Sequence, residues 1–122
     1  MNYKFFKNKK ILVTGHTGFK GSWLVAWLNI LGCNIMGISL SPGRKENHFK
    51  ILKKNLEIID KRIDIRNIKS LRKEILKFKP DIVFHLAAQA IVSTSYDYPK
   101  KTFETNVIGT LNLLSVLSEL KR

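Results

Sequence analysis

The sequence predicts an α/β protein: a parallel sheet of strand order 3-2-1-4 with helices on both faces. Three observations carry this reading. Four short runs are apolar throughout, segments of helical period separate them, and a spaced glycine turn follows the first run at once. Strands that are apolar on both sides need cover on both sides, which is the habit of parallel sheets, and right-handed crossovers then set the strand order.

The first strand is Ile11-Leu12-Val13-Thr14, introduced by Lys9-Lys10. After the glycine turn, Trp23, Leu24, Trp27, Leu28 and Leu31 recur at helical spacing and predict the inward face of a first helix, which Gly32 stops. Asn34 to Leu40 is strand-like again until Ser41-Pro42-Gly43 breaks it. From Arg44 to Lys54 the chain is polar and basic, anchored only by Phe49, Ile51 and Leu52, and reads as a loop with a helical turn. Leu56 to Ile65 is a third extended segment, and a helix from Ile68 to Phe78 turns Leu71, Ile75 and Phe78 inward. Pro80-Asp81 punctuates, Ile82-Val83-Phe84-His85-Leu86 makes the fourth strand, and one last helix is expected over Pro99 to Leu120. Phe103, Val107, Leu111, Leu114 and Leu117 form its apolar side.

With 122 residues the chain holds one domain at most, and a hydrophobic fraction of 44% is that of a globular protein. No apolar run is long enough to span a membrane, and the basic amino terminus lacks the apolar stretch of a signal peptide. Cys33 is the single cysteine, so no internal disulfide forms; it reads as a small buried hydrophobe in a reducing, cytoplasmic setting. The net charge of +13 invites a nucleic-acid reading, but the charge comes from 17 lysines and five arginines scattered along the chain, with no stretch of alternating basic and aromatic side chains. A solvated lysine-rich surface is the simpler account, and no specific nucleic-acid partner is expected.

Gly15-x-x-Gly18-x-x-Gly21 falls at the junction of the first strand and first helix. At that place the glycines have mechanical meaning. Gly15 permits the tight exit from the strand, Gly18 lets backbone approach a pyrophosphate, and Gly21 lets the helix pack closely on the sheet. Amides of the first helical turn then face the phosphates, aided by the helix dipole. The run also approaches a P-loop, but Lys20 precedes Gly21 where that motif needs Gly before Lys before Ser or Thr. The pattern is therefore that of a Rossmann-type dinucleotide fold. His16 and His85 read as structural, since neither has a metal-ligand partner at sensible spacing. Asp64 is open between a surface ion pair and a ligand contact, and Asn106 between a ligand contact and an ordinary polar helix position.

The stretches Val13-Thr14-Gly15-His16-Thr17-Gly18-Phe19-Lys20-Gly21-Ser22-Trp23-Leu24, His85-Leu86-Ala87-Ala88-Gln89, Ser95-Tyr96 with Pro99, and Thr105-Asn106-Val107-x-Gly109-Thr110 together resemble the extended short-chain dehydrogenase/reductases, the NAD-dependent epimerase/dehydratase family. The likeness is strongest to the members that dehydrate sugar nucleotides and runs over essentially all of the chain. It implies NAD as cofactor and a sugar nucleotide, CDP-glucose, as substrate of the full-length enzyme. It also implies roles. Gly15, Gly18, Phe19, Lys20 and Gly21 match the cradle at the pyrophosphate. Asp64 and Ile65 match the pair that contacts the adenine. Leu86, Ala87, Ala88, Gln89 and Ala90 match the loop lining the nicotinamide half, and Thr105 and Asn106 match the helix start that closes that wall. The end of the second strand, Leu40-Ser41-Pro42-Gly43-Arg44, offers no acid for a ribose 2′-hydroxyl. Arg44 offers a partner for a 2′-phosphate, so NADP stays open beside the NAD that the resemblance implies. Relatives often carry arginine where Ser93 or Thr94 stands.

The family's chemistry rests on a Tyr-x-x-x-Lys pair and a Ser or Thr at the end of a fifth strand. Tyr96-Asp97-Tyr98-Pro99-Lys100 fits the spacing, but it follows the fourth strand, and Pro99 suits a helix's first turn rather than a place between two catalytic side chains. No catalytic residue is therefore assigned within residues 1–122. The chain is expected to be the amino-terminal cofactor-binding half of a dehydratase, inactive alone. The alternatives are a stand-alone dinucleotide-binding module or part of a sibling nucleotide-sugar epimerase or dehydratase. An uncovered fourth strand would leave an open sheet edge, which predicts poor solubility or dimerisation to a homodimer.

Overall fold

Four parallel strands form one sheet in the order β3-β2-β1-β4: β1 (Lys10–Thr14), β2 (Asn34–Ser39), β3 (Ile58–Arg62) and β4 (Ile82–His85). The computed structural model describes residues 3–43 and 45–120. Leu12 lies opposite Met36 and Val83, and Thr14 opposite Ile38 and His85, so these six side chains share one face. Helices α3 (Ile68–Phe78) and α6 (Thr110–Ser118) cover that face, burying Leu71, Ile75, Phe78, Leu113 and Val116 against it. On the other face α1 (Phe19–Ile30) packs Val25 and Leu28 onto Ile11, Val13 and Ile35. Ile11, Leu12 and Val13 are fully buried, as the unbroken apolar run demands. Cys33 is a buried free thiol whose Sγ lies 3.3 Å from the Phe6 carbonyl oxygen.

The inward face of α1 differs from the expected one. Trp23 and Trp27 are more than half exposed, while Gly21, Ser22, Val25 and Leu28 face the sheet. The cause is Gly21: a Cβ there would overlap the Gly15 carbonyl oxygen, so this side of the helix sits hard against the preceding turn. That contact fixes the helix's rotation and brings positions 25 and 28 inward with Gly21. Trp23 instead stacks on His48 of α2 (His48–Leu52), the short helix within the predicted loop, at a centroid distance of 4.1 Å.

The carboxy-terminal helix also departs from expectation. It is not continuous from Pro99: α4 (Val92–Asp97) and α5 (Pro99–Phe103) precede a π-helical segment, Glu104–Gly109, which leads into α6. The wider π turn shifts the periodicity, so a stripe counted at 3.6 residues per turn misses the buried side. Leu113 and Val116 point inward, whereas Phe103, Val107, Leu111 and Leu114 are exposed and Leu117 is partly buried. β3 is shorter than the extended run Leu56 to Ile65. Its amino-terminal flank is a 3-10 turn over Lys53–Asn55, and Asp64 leaves the ladder to accept from the backbone N–H of Asn67.

Candidate functional site

The sheet's strands all end at one edge, and the turn after β1 emerges there. Gly15 takes a φ of +75°, a left-handed conformation that side chains resist. A Cβ at this position would stand 2.7 Å from the Ala87 nitrogen and 2.8 Å from the Leu86 carbonyl carbon. The chain after β1 thus touches the chain after β4, backbone to backbone. Gly15 N–H donates to the Ile38 carbonyl (2.8 Å), tying the turn to β2 as well. Gly18 is the N-cap of α1 and has no side chain to cap it, so the first amides of the helix keep their donors for something outside the helix.

A cleft of roughly 250 Å³ opens over this junction, lined by Gly15, Thr17, Gly18, Ser39, Leu40, Ile63, Asp64, Ile65, Arg66, Leu86, Ala87, Ala88, Lys101 and Thr105. It lies beyond the carboxyl ends of the strands, where ligands bind in open parallel sheets. A larger concavity near Lys79, Pro80, Asp81 and Leu120 lies at the opposite edge, where β4 begins, and gathers no such backbone turn.

Of the residues singled out in the sequence, Gly15, Gly18, Asp64, Ile65, Leu86, Ala87, Ala88 and Thr105 line the cleft together. Gly21 is buried behind the turn, and Phe19 and Lys20 are exposed in the first turn of α1 beside Gly18. Gln89, Ala90 and Asn106 do not line the cleft. Asn106 works on the loop instead: its Oδ1 accepts from Gln89 N–H (2.8 Å) and its Nδ2 donates to Gln89 O (3.0 Å). The Gln89 side chain in turn reaches Thr102 and Ile91. Asp64 has both an ion pair and a place in the cleft. It lines the cleft, and its carboxylate also receives Arg66, whose terminal guanidinium nitrogen stands 2.6 Å away. Hydrogen bonding from Arg66 outweighs partial burial and holds Asp64 below the usual carboxylate range. Arg44 lies outside the described residues.

Thr17, Ser39, Leu40, Ile63, Arg66 and Lys101 complete the lining and were not singled out. Ser39 is the last residue of β2, where an acid often stands; its hydroxyl bonds to that of Thr17 at 2.7 Å. Strand-end position was the one available signal for Ser39, while Lys101 enters only because α5 folds back over the cleft. Tyr96 is exposed on α4, and Lys100 is exposed beside Glu104 (3.8 Å).

His16 and His85 are both held in hydrogen bonds beside the glycine turn and the chain after β4. His16 is fully buried, packs over Gly37 where a Cβ would meet its ring, and bonds to Asp60 (2.8 Å). Burial dominates and pushes its pKa down, against the pull of Asp60. His85 lies between Thr14 and Thr110, and burial lowers its pKa too. Among the described residues no group of His, Cys, Asp and Glu is placed to hold a metal ion, and no helix is long and apolar enough to cross a membrane.

A parallel α/β domain with a glycine turn and a cleft beyond the carboxyl ends of its strands is the class that the fold and site define. Residues 12–122 match the model of the family described as GDP-mannose 4,6 dehydratase, and the chain belongs to that family. It is 44% identical over 117 residues to the CDP-glucose 4,6-dehydratase of Salmonella typhimurium, an alignment that takes in 95% of this chain and 32% of that enzyme. Among solved structures, the epimerase Mth375 of Methanothermobacter thermautotrophicus superposes with a TM-score of 0.82 at 30% identity, over 93% of this chain and 33% of that one. The UDP-glucose 4-epimerase of Thermus thermophilus, solved in complex with NAD, superposes with a TM-score of 0.75 at 32% identity, over 88% of this chain and 33% of that one. The chain spans about a third of the length of the relatives it matches.

Proposed function

We propose that residues 1–122 are the amino-terminal NAD-binding half-domain of a sugar-nucleotide 4,6-dehydratase acting on CDP-glucose. The observation that carries the reading is the Gly15–Gly18 turn: a left-handed, Cβ-free bend beneath a cleft, with an uncapped helix start beside it. A diphosphate fits such a place because backbone amides can approach it closely and the helix dipole favours its charge. Likeness to a CDP-glucose 4,6-dehydratase over 95% of the chain supports the substrate class, and likeness to an epimerase solved with NAD supports the cofactor.

In this reading Gly15, Gly18, Phe19 and Lys20 receive the pyrophosphate, and Gly21 lets the helix sit close enough to do so. Asp64 and Ile65 flank the adenine. Leu86, Ala87 and Ala88, with Thr105, wall the nicotinamide half, while Gln89, Ala90 and Asn106 hold that wall in shape. NAD supplies an acceptor that takes a hydride and returns it; these residues bind it, orient it and exclude water from one side. No catalytic Tyr-x-x-x-Lys pair and no sugar-nucleotide pocket are assigned to residues 1–122. The exposed apolar side of α5 and α6, with Phe103, Leu111 and Leu114, supports a homodimer, and the single reduced cysteine agrees with a cytoplasmic setting.

Calorimetric titration of the chain with NAD and with NADP tests the assignment. Saturable binding of NAD that weakens in Gly18→Val is the expected result. No heat with either dinucleotide at millimolar concentration contradicts it.

A further inference from the structure

Three polar side chains outside the cleft form a continuous hydrogen-bonded line beneath its wall. Thr14 Oγ1 lies 2.6 Å from His85 Nδ1, and His85 Nε2 lies 2.9 Å from Thr110 Oγ1. Thr110 Oγ1 donates to the Asn106 carbonyl at 2.8 Å. At the other end, Thr14 Oγ1 accepts from the N–H groups of Leu86 and Ala87, both at 3.2 Å.

The donors can be assigned by elimination. Thr14 Oγ1 already accepts from two amides, so both its lone pairs are engaged and it gives its one hydrogen to His85 Nδ1. His85 Nε2 therefore carries a proton. The half-buried ring favours its neutral form, which leaves Nδ1 bare to accept the Thr14 hydrogen. Thr14, having given its hydrogen away, presents both lone pairs to Leu86 and Ala87. Every group in the line is satisfied in one direction only.

We propose that His85 is a positioning residue for the dinucleotide site: its Nε2–H tautomer sets the backbone of residues 86–89 against the glycine turn. Ala87 N–H, at one end of the line, is the group closest to the missing Gly15 side chain. Asn106, at the other end, clamps Gln89 by its side chain and takes the Thr110 hydrogen by its carbonyl. The loop is thus held at both ends by one oriented series. The opposite tautomer would set Nδ1–H against a Thr14 oxygen whose lone pairs are both engaged, and would draw the Thr110 hydrogen from the Asn106 carbonyl to Nε2. Relief would require Ala87 to let go, since Leu86 N–H keeps the Thr14 carbonyl at 3.1 Å. The inference rests on the cleft being a dinucleotide site, but the tautomer and the loop's hold can be read without any ligand.

The test uses the 122-residue chain, its Thr110→Val variant, which keeps the side chain's shape and lies outside the cleft lining, and Thr110→Ser as the rescue. Imidazole nitrogen shifts of the parent chain at pH 7 should show His85 protonated at Nε2 alone; an Nδ1–H tautomer or a cation overturns the proposal. In Thr110→Val, amide exchange at Leu86, Ala87 and Gln89 should quicken and NAD affinity should fall about tenfold, with Thr110→Ser restoring both. Unchanged exchange in Thr110→Val overturns the proposal whatever NAD does. If the parent chain binds no NAD, the dinucleotide reading fails, while the nitrogen shifts and exchange rates still decide the relay.

Discussion

Replacing Gly15 by alanine should separate two penalties that usually come together. Gly15 and Gly32 share the same left-handed backbone, with φ of +75° and +74°. They differ in what surrounds the missing Cβ: at Gly15 three backbone atoms of Leu86 and Ala87 stand within 2.9 Å, whereas at Gly32 the nearest atom is the flexible Lys7 Cγ at 3.8 Å. Gly32→Ala therefore carries only the left-handed term, about 1–2 kcal/mol. Gly15→Ala carries that term plus overpacking against backbone, about 1–3 kcal/mol more. A gap of about 2 kcal/mol moves a urea midpoint by about 1 M in a domain of this size. Urea unfolding followed by far-ultraviolet circular dichroism reads both variants against the parent. Equal midpoints for the two variants would refute the argument that the chain after β4 presses on the glycine turn.

Other glycines and the polar groups under the cleft give further outcomes. Gly21→Ala should destabilise by about 1–3 kcal/mol, since its Cβ meets the Gly15 and His16 backbone, which cannot move aside. Gly109→Ala should also destabilise, by about 1 kcal/mol and less than Gly21→Ala, because its Cβ would stand 2.5 Å from Cδ1 and 2.6 Å from Cγ1 of the buried Ile65, a side chain that must shift where Gly21 meets backbone; thermal unfolding of the pair distinguishes them. Asn106→Asp keeps the acceptor for Gln89 N–H but turns a carboxylate on Gln89 O, and should cost about 1–3 kcal/mol in urea unfolding. Stability should also fall on acidification. Burial depresses both His16 and His85, so below the ordinary histidine value of 6.5 the unfolded chain takes up protons that the folded chain resists. The contribution is complete above pH 6.5 and is lost as pH falls through the folded values; a flat urea midpoint between about pH 7 and pH 5 would contradict it.

Sheet order was legible because each strand is apolar on both sides, and the glycine turn was legible because its spacing has a mechanical cause at a strand–helix junction. The rotation of α1 was not. Trp23, Leu24, Trp27 and Leu28 make as good a stripe as Val25 and Leu28, and only the contact of Gly21 with the Gly15 carbonyl chooses between them. The last helix misled for a related reason: Leu111 and Leu114 lie on one side, Leu113 and Val116 on the other, and the π turn over Glu104–Gly109 decides which faces the sheet. In the site, backbone-forming residues such as Gly15, Gly18 and Leu86 could be found from motif position. Arg66 and Lys101 could not, since charged side chains at loop and helix positions carry no periodic signal, and their place over the cleft follows from tertiary packing alone. Asn106 was legible as a residue of the loop's wall, but its two bonds to the Gln89 backbone carry no signal in the sequence.

A titration of the isotope-labelled chain with NAD, followed by amide nitrogen–proton correlation spectra, addresses the central claim residue by residue. The largest shifts should fall on Gly15, Gly18, Phe19 and Lys20, with a second group at Leu86 to Ala88. Shifts gathered instead around Lys79, Asp81 and Leu120 at the opposite edge of the sheet, or none at saturating NAD, would contradict a diphosphate seat at the turn after β1.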